Sequence, residues 1–318
     1  MKIALAQINT TVGDLENNVA RCADAAAEAA ALGADLVVLP EMALPGPAPR
    51  DILYDDSFIE ANEAAAADLA ARVQPDRTVV VGGIARAPSN RPCHPGLLNA
   101  ALVLQGGRVV RAVGKRCLPL YYGFYEPRWF LPGQEHETLS IAGNRVGFLV
   151  GEDLTFDGGE PSPPRRLVAA GADLLVCSAA FPFSVGAPDR RLRRARRTLV
   201  PTACVNACGA TDELVYDGGS FLLDPGGRVV ASLRHCEEEI RIVDLENQPD
   251  SSPPAALAET DLLRAVLVLG IRDFADKNHL GTAFVGLSGG VDQKQISFPA
   301  VINFGLLILY GHMFFKAL

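Results

Sequence analysis

The 318-residue sequence has no surplus of basic residues: 29 Lys and Arg stand against 37 Asp and Glu, a formal charge of −8. That balance argues against a nucleic-acid surface, which relies on clustered cations to displace counterions from phosphate. A cysteine framework is missing too. Seven cysteines (22, 93, 117, 177, 204, 208 and 236) are odd in number and irregular in spacing, which suits reduced thiols in a cytosolic protein and not a disulfide scaffold. Cys204 and Cys208 lie in the apolar stretch 202–208, where a period-2 strand puts both on one face as packed core thiols and not as a metal pair. The five histidines form no ligand-spaced cluster, so no metal site is expected. Residues 1–7 are too short an apolar run for a signal peptide and lead into polar sequence; they read as a first strand, which implies a cytoplasmic chain.

What is present is ordinary globular material, 49% hydrophobic and 21% charged, long enough for one large or two smaller domains. Apolar runs of strand length alternate with Ala-rich helical stretches through most of the first 245 residues. Strands are expected at 2–7, 35–39, 78–83, 98–104, 108–113, 145–150, 173–177, 203–206, 219–223, 228–233 and 237–243, and helices at 15–32, 57–73, 163–170 and 190–199. Gln105-Gly106-Gly107 and Asp224-Pro-Gly-Gly-Arg228 carry the glycines of tight hairpin turns. The pattern predicts an α/β fold of four layers, helices outside two sheets, with catalytic groups at strand ends. The run Arg190, Arg191, Arg193, Arg194, Arg196 and Arg197 reads as a solvated or oligomer-facing helix, with anion binding as the sharper alternative.

Residues 246–258 are rich in turn formers and read as a linker. Beyond it, 259–279 has helical periodicity, and 281–292 reads as a strand running into a Gly-rich turn. Residues 293–318 are apolar and continue no βαβ unit. Within them, 298–315 is about long enough to span a bilayer at ~17–25 residues, although Pro299, Asn303, Gly305, Gly311 and His312 weaken that reading. A tail from a truncated or frame-altered coding region is the favoured expectation, ahead of a buried helix or a membrane anchor.

Three apolar strands end in groups that can do chemistry. Leu39-Pro-Glu41-Met42 ends one with a carboxylate, Gly114-Lys115-Arg-Cys117 ends another with an ammonium, and Val150-Gly151-Glu152-Asp153 ends a third in a tight turn. Glutamate, lysine and cysteine at three strand ends would make a thiol amidase, with base, oxyanion stabiliser and nucleophile. The first two are here; the third is not. A second constellation is the loop Gly286-Leu287-Ser288-Gly289-Gly290-Val291-Asp292, whose glycines let backbone N–H groups approach phosphate oxygens.

On these motifs, with Leu39-Pro-Glu-Met-Ala-Leu44, Lys115-Arg-Cys-Leu-Pro-Leu-Tyr-Tyr-Gly-Phe-Tyr-Glu126 and Cys204-Val-Asn-Ala-Cys-Gly-Ala-Thr-Asp-Glu-Leu-Val-Tyr-Asp-Gly-Gly-Ser-Phe221, the sequence resembles the glutamine-dependent NAD synthetases. Residues 1–245 resemble their nitrilase-type glutaminase domain, and 259–292 the start of their ATP-pyrophosphatase synthetase domain. The resemblance implies a nitrilase-like α-β-β-α sandwich followed by the beginning of a Rossmann-like domain. It implies glutamine and nicotinic acid adenine dinucleotide as substrates, ATP and Mg as cofactors, and a homo-oligomer. Glu41 would be the proton acceptor, Lys115 the oxyanion group and Tyr121 a wall of the glutamine pocket, with Gly286 to Asp292 as the ATP loop.

The departures are equally specific. Gly151 stands where the family has its nucleophilic cysteine, Phe181 where it has a serine that contacts glutamine, and Ala187 near the position of its basic residue. Cys117 and Cys177 are the nearest spare thiols, and neither falls at a nucleophile position. Three readings follow: a synthetase remnant unable to hydrolyse glutamine, a non-catalytic pseudo-glutaminase scaffold for an ammonia-using synthetase, and a stand-alone nitrilase-type amidase. Gly151 argues against the last, because thiol attack makes the covalent step.

Overall fold

The protein is described by a computed structural model over residues 1–87, 94–120, 125–134, 138–156, 159, 162–247 and 257–282. In chain order the elements are β1 (Lys2–Gln7), α1 (Leu15–Ala31), β2 (Leu36–Val38), α2 (Asp56–Arg72), β3 (Thr78–Arg86), β4 (Leu97–Gln105), β5 (Arg108–Gly114), β6 (Thr138–Ile141), β7 (Asn144–Val150), α3 (Pro163–Ala169), β8 (Leu174–Ala179), α4 (Ala187–Ala195), β9 (Thr202–Asn206), β10 (Cys208–Thr211), β11 (Leu214–Asp217), β12 (Phe221–Leu223), β13 (Val229–Ser232), β14 (Glu239–Asp244) and α5 (Glu259–Lys277).

Two six-stranded sheets lie face to face, ordered β14-β1-β2-β3-β4-β5 and β13-β12-β9-β8-β7-β6. Each has a parallel trio at its heart, β1-β2-β3 or β7-β8-β9, flanked by antiparallel strands. Parallel strands buried on both faces read as continuous apolar runs, and β3 shows why. Val79 and Val81 pack under α1 and α2, while Val80 faces the second sheet. The helices can lie close because their inward positions are mostly small: Val19, Cys22, Ala25, Ala26 and Ala29 on α1, and Ala65, Ala66, Leu69 and Ala70 on α2. Asp14 and Asp55 cap the two helices by accepting backbone N–H groups of Asn17 and Ser57. Between the sheets, Phe148, Val150 and Val176 meet Ile3, Leu5, Leu36 and Val38. Fully burying each such side chain contributes about 1.5–3 kcal/mol. The outer face of the second sheet is closed by α3 and α4 over Leu149, Leu175 and Cys177. The α-β-β-α sandwich is therefore the architecture present.

Several elements differ from expectation. The hairpin β10-β11 and the edge strand β6 were not expected, because each is only four residues long. Cys204 and Cys208 do not share a strand face: the chain breaks at Ala207, so Cys204 packs beneath α4 and Cys208 beneath α5, both as buried free thiols. Helix α4 begins at Ala187, earlier than the arginine run suggested, because Gly186 turns in the left-handed region (φ 70°) and Pro188 suits the first helical turn. Arg191 is not solvated but buried, its guanidinium forking onto Asp217 at 3.3 Å for both contacts. The pyrophosphate-like loop Gly286–Asp292, most of the linker and the apolar tail lie outside the described residues. Among the described residues no helix is long and apolar enough to cross a membrane.

Helix α5, on the far side of the linker, packs onto the sandwich. Leu262, Val266 and Leu269 meet Cys208 and Cys236. Asp273, 3% exposed, accepts from Asn9 Nδ2 at 2.7 Å and the Ala210 backbone N–H at 2.8 Å. One helical turn on, Lys277 Nζ donates to Asn9 Oδ1 and to the carbonyls of Thr10 and Ala210. A buried carboxylate is tolerated only when hydrogen-bonded and paired, so this lock specifies where α5 sits. Asp273→Ala is expected to lower the free energy of unfolding by about 2–3 kcal/mol, read from denaturant midpoints, whereas Asp76→Ala on the surface should change it by less than about 0.5 kcal/mol. Equal midpoints for the two variants would show that the lock does not hold the helix.

Candidate active site

The first sheet brings Glu41 and Lys115 to one end of the sandwich. Because β5 runs antiparallel to β4 and β4 to β3, the C-terminal ends of β2 and β5 lie on the same side. Glu41 sits in a turn pressed against β3: Gly82 donates to Pro40 O, and a Cβ on Gly82 would collide with the backbone of residues 40–42, so only glycine permits the approach. Lys115 is fixed at its main chain by the Asn99 carbonyl, which accepts its N–H, and by Gly133, whose N–H donates to its carbonyl.

The second sheet supplies the other half. Asp153, fully buried, accepts from the backbone N–H groups of Arg116 at 2.9 Å, Cys117 at 2.8 Å and Val150 at 3.3 Å, and pairs with the Arg116 guanidinium. This carboxylate thereby fastens the Gly151 turn to the residues that follow Lys115. Just past the end of β8, the Ala180 N–H donates to Glu41 Oε2 at 2.9 Å.

At the centre, Lys115 Nζ meets three carboxylates: Glu41 Oε1 at 2.9 Å, Glu126 Oε1 at 2.9 Å and Glu152 Oε2 at 2.5 Å. Asn99 Nδ2 donates to Glu41 Oε1 at 2.6 Å and reaches Glu126 Oε1 at 3.4 Å. Lys115 is 1% exposed and Glu41 4%. Gly151 stands directly opposite, with φ +47°. A Cβ built there would lie 2.6 Å from Glu41 Oε2 and 3.0 Å from Lys115 Nζ. A side chain at 151 would thus point between carboxylate and ammonium, and any L-residue would have to take up the left-handed conformation that disfavours a Cβ.

Three carboxylates around one ammonium leave an excess of buried negative charge. Burial raises the pKa of Glu41, and Lys115 only partly offsets it. Burial likewise pushes Glu126 up to about 8, against the pull of Lys115. For Lys115, burial works against the charged form, yet the three carboxylates hold its pKa well above the usual value. The cluster therefore keeps its ammonium and retains a carboxyl proton near neutrality.

Glu41, Lys115 and Gly151 come together as the sequence suggested; Glu126 was quoted within a motif but given no role. It follows a stretch of sequence with no apolar periodicity to mark its direction. Tyr121 lies outside the described residues. The Phe181 backbone N–H donates to Asn206 Oδ1 at 2.8 Å, and its ring lies 5.7 Å from the Arg191 guanidinium carbon. Ala187 opens α4. Burial pushes the Cys117 thiol up to about 12, Asp153 adding to the shift, and holds Cys177 well above the usual thiol value, with Cys204 contributing. Cys177 packs on the helical side of its sheet with Leu149 and Ala179, its thiol against the Gly151 carbonyl at 3.8 Å. Neither thiol is poised as a thiolate.

The sandwich and this strand-end cluster define the class: the chain belongs to the carbon–nitrogen hydrolase family, whose sequence pattern matches residues 2–248. Within that class it resembles the glutamine-dependent NAD(+) synthetase of Synechocystis sp., 31% identical over 95% of this chain and 57% of that one. It is also similar to the glutamine-dependent NAD+ synthetase of Acinetobacter baumannii solved with ADP, with TM-score 0.85 and 26% identity over 94% of this chain and 56% of that one. A third relative is an amidase of the nitrilase superfamily from Nesterenkonia, seen as a double mutant in complex with acrylamide. Its TM-score is 0.62, with 27% identity over 77% of this chain and 90% of that one. The chain spans little more than half the length of the synthetases it matches.

The proton held by Glu126 sets a pH dependence. Folded, it is retained to about pH 8; unfolded, it is lost near 4.5. The folded state then binds more protons across that interval, so this group's contribution is full below about 4.5 and declines as pH rises toward 8. Glu126→Gln, which cannot ionise, is expected to flatten the fall of the urea midpoint with rising pH in that window. An unchanged slope would mean that the proton resides elsewhere.

Proposed function

We propose that this chain carries the glutaminase-type module of the glutamine-dependent NAD(+) synthetases, with proton acceptor and oxyanion group retained and the nucleophile absent. One observation carries the reading: a side chain at 151 would project between Glu41 and Lys115, and residue 151, a glycine, supplies none. Were a cysteine present, Glu41 would take the thiol proton, sulfur would bond to the amide carbon with Lys115 stabilising the oxyanion, and Glu41 would return the proton to nitrogen as the C–N bond broke to release ammonia, leaving a thioester for water to hydrolyse. With glycine, the first bond has no atom to form it.

The extent of similarity favours a synthetase module over a stand-alone amidase, since the synthetase match covers 95% of the chain and the amidase match 77%. Glutamine would be the amide, with Phe181 and Ala187 as departures in its pocket and Tyr121 as a further wall. Nicotinic acid adenine dinucleotide and ATP would be substrates of the part that begins at residue 259, with Mg as its metal. The loop Gly286–Asp292 lies outside the described residues, so nothing is assigned to either nucleotide. That the Nesterenkonia amidase holds acrylamide as a double mutant supports separating amide binding from cleavage in such a site.

The purified chain is expected to release no ammonia from glutamine above the uncatalysed rate, measured by a coupled glutamate dehydrogenase assay. Gly151→Cys should recover little, because the new Cβ must accommodate a left-handed backbone and the crowding of Glu41. Ammonia release by the unaltered chain would overturn the reading. Turnover by Gly151→Cys at the rate of a full synthetase would show that the rest of the pocket is intact.

A further inference from the structure

The arginine run takes no part in the strand-end cluster. Residues 162–200 hold eight arginines (165, 166, 190, 191, 193, 194, 196 and 197), two aspartates and no lysine or glutamate, in a chain whose formal charge is −8. One stretch thus concentrates positive charge on an acidic protein. Arg191 is used inside, on Asp217, and Arg190 turns back onto the Val185 carbonyl and the Ser184 hydroxyl. Arg194 and Arg197 stand three residues apart at the C-terminal end of α4, where the Arg197 N–H donates to the Arg194 carbonyl, so both side chains leave one face. With Arg165 of α3 they line a cavity of about 120 Å³, to which Ser162 and the buried Leu154 and Pro164 also contribute. A helix C-terminus favours cations, which accounts for arginines in the last turn of α4 but not for a third that arrives from α3. Like charges gathered at this spacing repel, and apolar walls weaken the screening between them. Among the described residues Arg197 makes no ion pair, whereas Arg165 and Arg194 engage other partners. A guanidinium carries five N–H donors, so such contacts do not exhaust its fork.

We infer that this cavity is an anion site for a phosphoryl group, borne by inorganic phosphate, by pyrophosphate or by a phosphate monoester. Charge and shape select the class. A phosphoryl group brings more than one negative charge and three strong acceptor oxygens, with which guanidinium forks pair bidentately. A carboxylate brings one charge and two oxygens, which leaves three converging guanidinia undercompensated. The acidity of the rest of the chain opposes a long polyanion such as nucleic acid, whose binding needs an extended basic surface. A compact anion needs only the one basic pocket. None of the lining residues belongs to the Glu41–Lys115 cluster, so the inference does not depend on the reading of Gly151.

The test uses the full chain in EDTA at constant ionic strength, with phosphate, pyrophosphate and acetate as probes and titration calorimetry and phosphorus NMR line widths as readouts. Pyrophosphate is expected to bind about tenfold tighter than acetate or better, and Arg165→Gln, Arg194→Gln and Arg197→Gln should each weaken it about tenfold. Arg197 is exposed, so its replacement leaves the fold intact. Arg193→Gln removes the same charge from an exposed position of α4 outside the cavity and should change the affinity by less than about twofold. Asp157 and Glu160 lie outside the described residues. Asp157→Asn combined with Glu160→Gln should bind pyrophosphate at least as tightly, since it removes neighbouring carboxylates; weaker binding would show that the guanidinia do not hold the anion and would overturn the proposal. Vesicles containing phosphatidic acid separate the sources: co-sedimentation abolished by Arg197→Gln assigns the phosphoryl group to a lipid headgroup, and pyrophosphate binding without co-sedimentation assigns it to a soluble anion. Absence of binding to either phosphate up to about 10 mM and to the vesicles would overturn the proposal. So would equal affinity for acetate, or an Arg193→Gln loss as large as that of Arg197→Gln, because binding would then follow net charge and not the cavity.

Discussion

The ammonium of Lys115, closed off from water, is the constraint on which the rest of the site depends. A buried cation is stable only where geometry supplies counter-charge and hydrogen bonds. Here those partners come from both sheets: Glu41 from the first, steadied by Asn99, Glu126 from the segment beyond Lys115, and Glu152 from the turn that ends β7 in the second. The Ala180 N–H reaching across to Glu41, and Asp153 reaching back to residues 116 and 117, tie the two halves together. The ion cluster and the sheet packing therefore specify one another: a shift in sheet registration would strand a charge in the interior.

That arrangement separates scaffold from chemistry. The fold is that of a carbon–nitrogen hydrolase, but the position between the Glu41 carboxylate and the Lys115 ammonium carries only hydrogen. Activity resides in such a site and not in the fold that presents it. Around the cluster, polar links extend outward: Asn206 holds the Phe181 N–H and the Gly218 carbonyl, and Asp217 receives Arg191 and His235. The Asp-Gly-Gly-Ser stretch is thus the anchor of the segment that covers Glu41. Through β10 and β11 the same region meets α5, so the helix beyond the linker and the site share one supporting hairpin.

Much of this was legible in the sequence, for identifiable reasons. Glu41, Lys115 and Gly151 each end an apolar run, and strand ends in a layered α/β fold project to a common edge. The long strands and the Ala-rich helices announce themselves by periodicity. Glu126 was harder to see because the segment before it has no regular pattern. Arg191 looked like its neighbours in a basic run, although a helix in contact with a sheet must turn one of its faces inward. Ser178 and Tyr216 lay outside every expected strand and carried no expectation, since an unmet hydroxyl leaves no trace in a sequence.

The sequence by itself determined the local chemistry: which strands are apolar on both faces, which turns require glycine, and that residue 151 brings no nucleophile. Only the tertiary structure decided which charges meet. Lys115 lies 74 residues from Glu41 and 11 from Glu126, yet both carboxylates lie 2.9 Å from its ammonium. Their protonation follows from that proximity and from exclusion of water, two quantities that exist only once the sheets have packed.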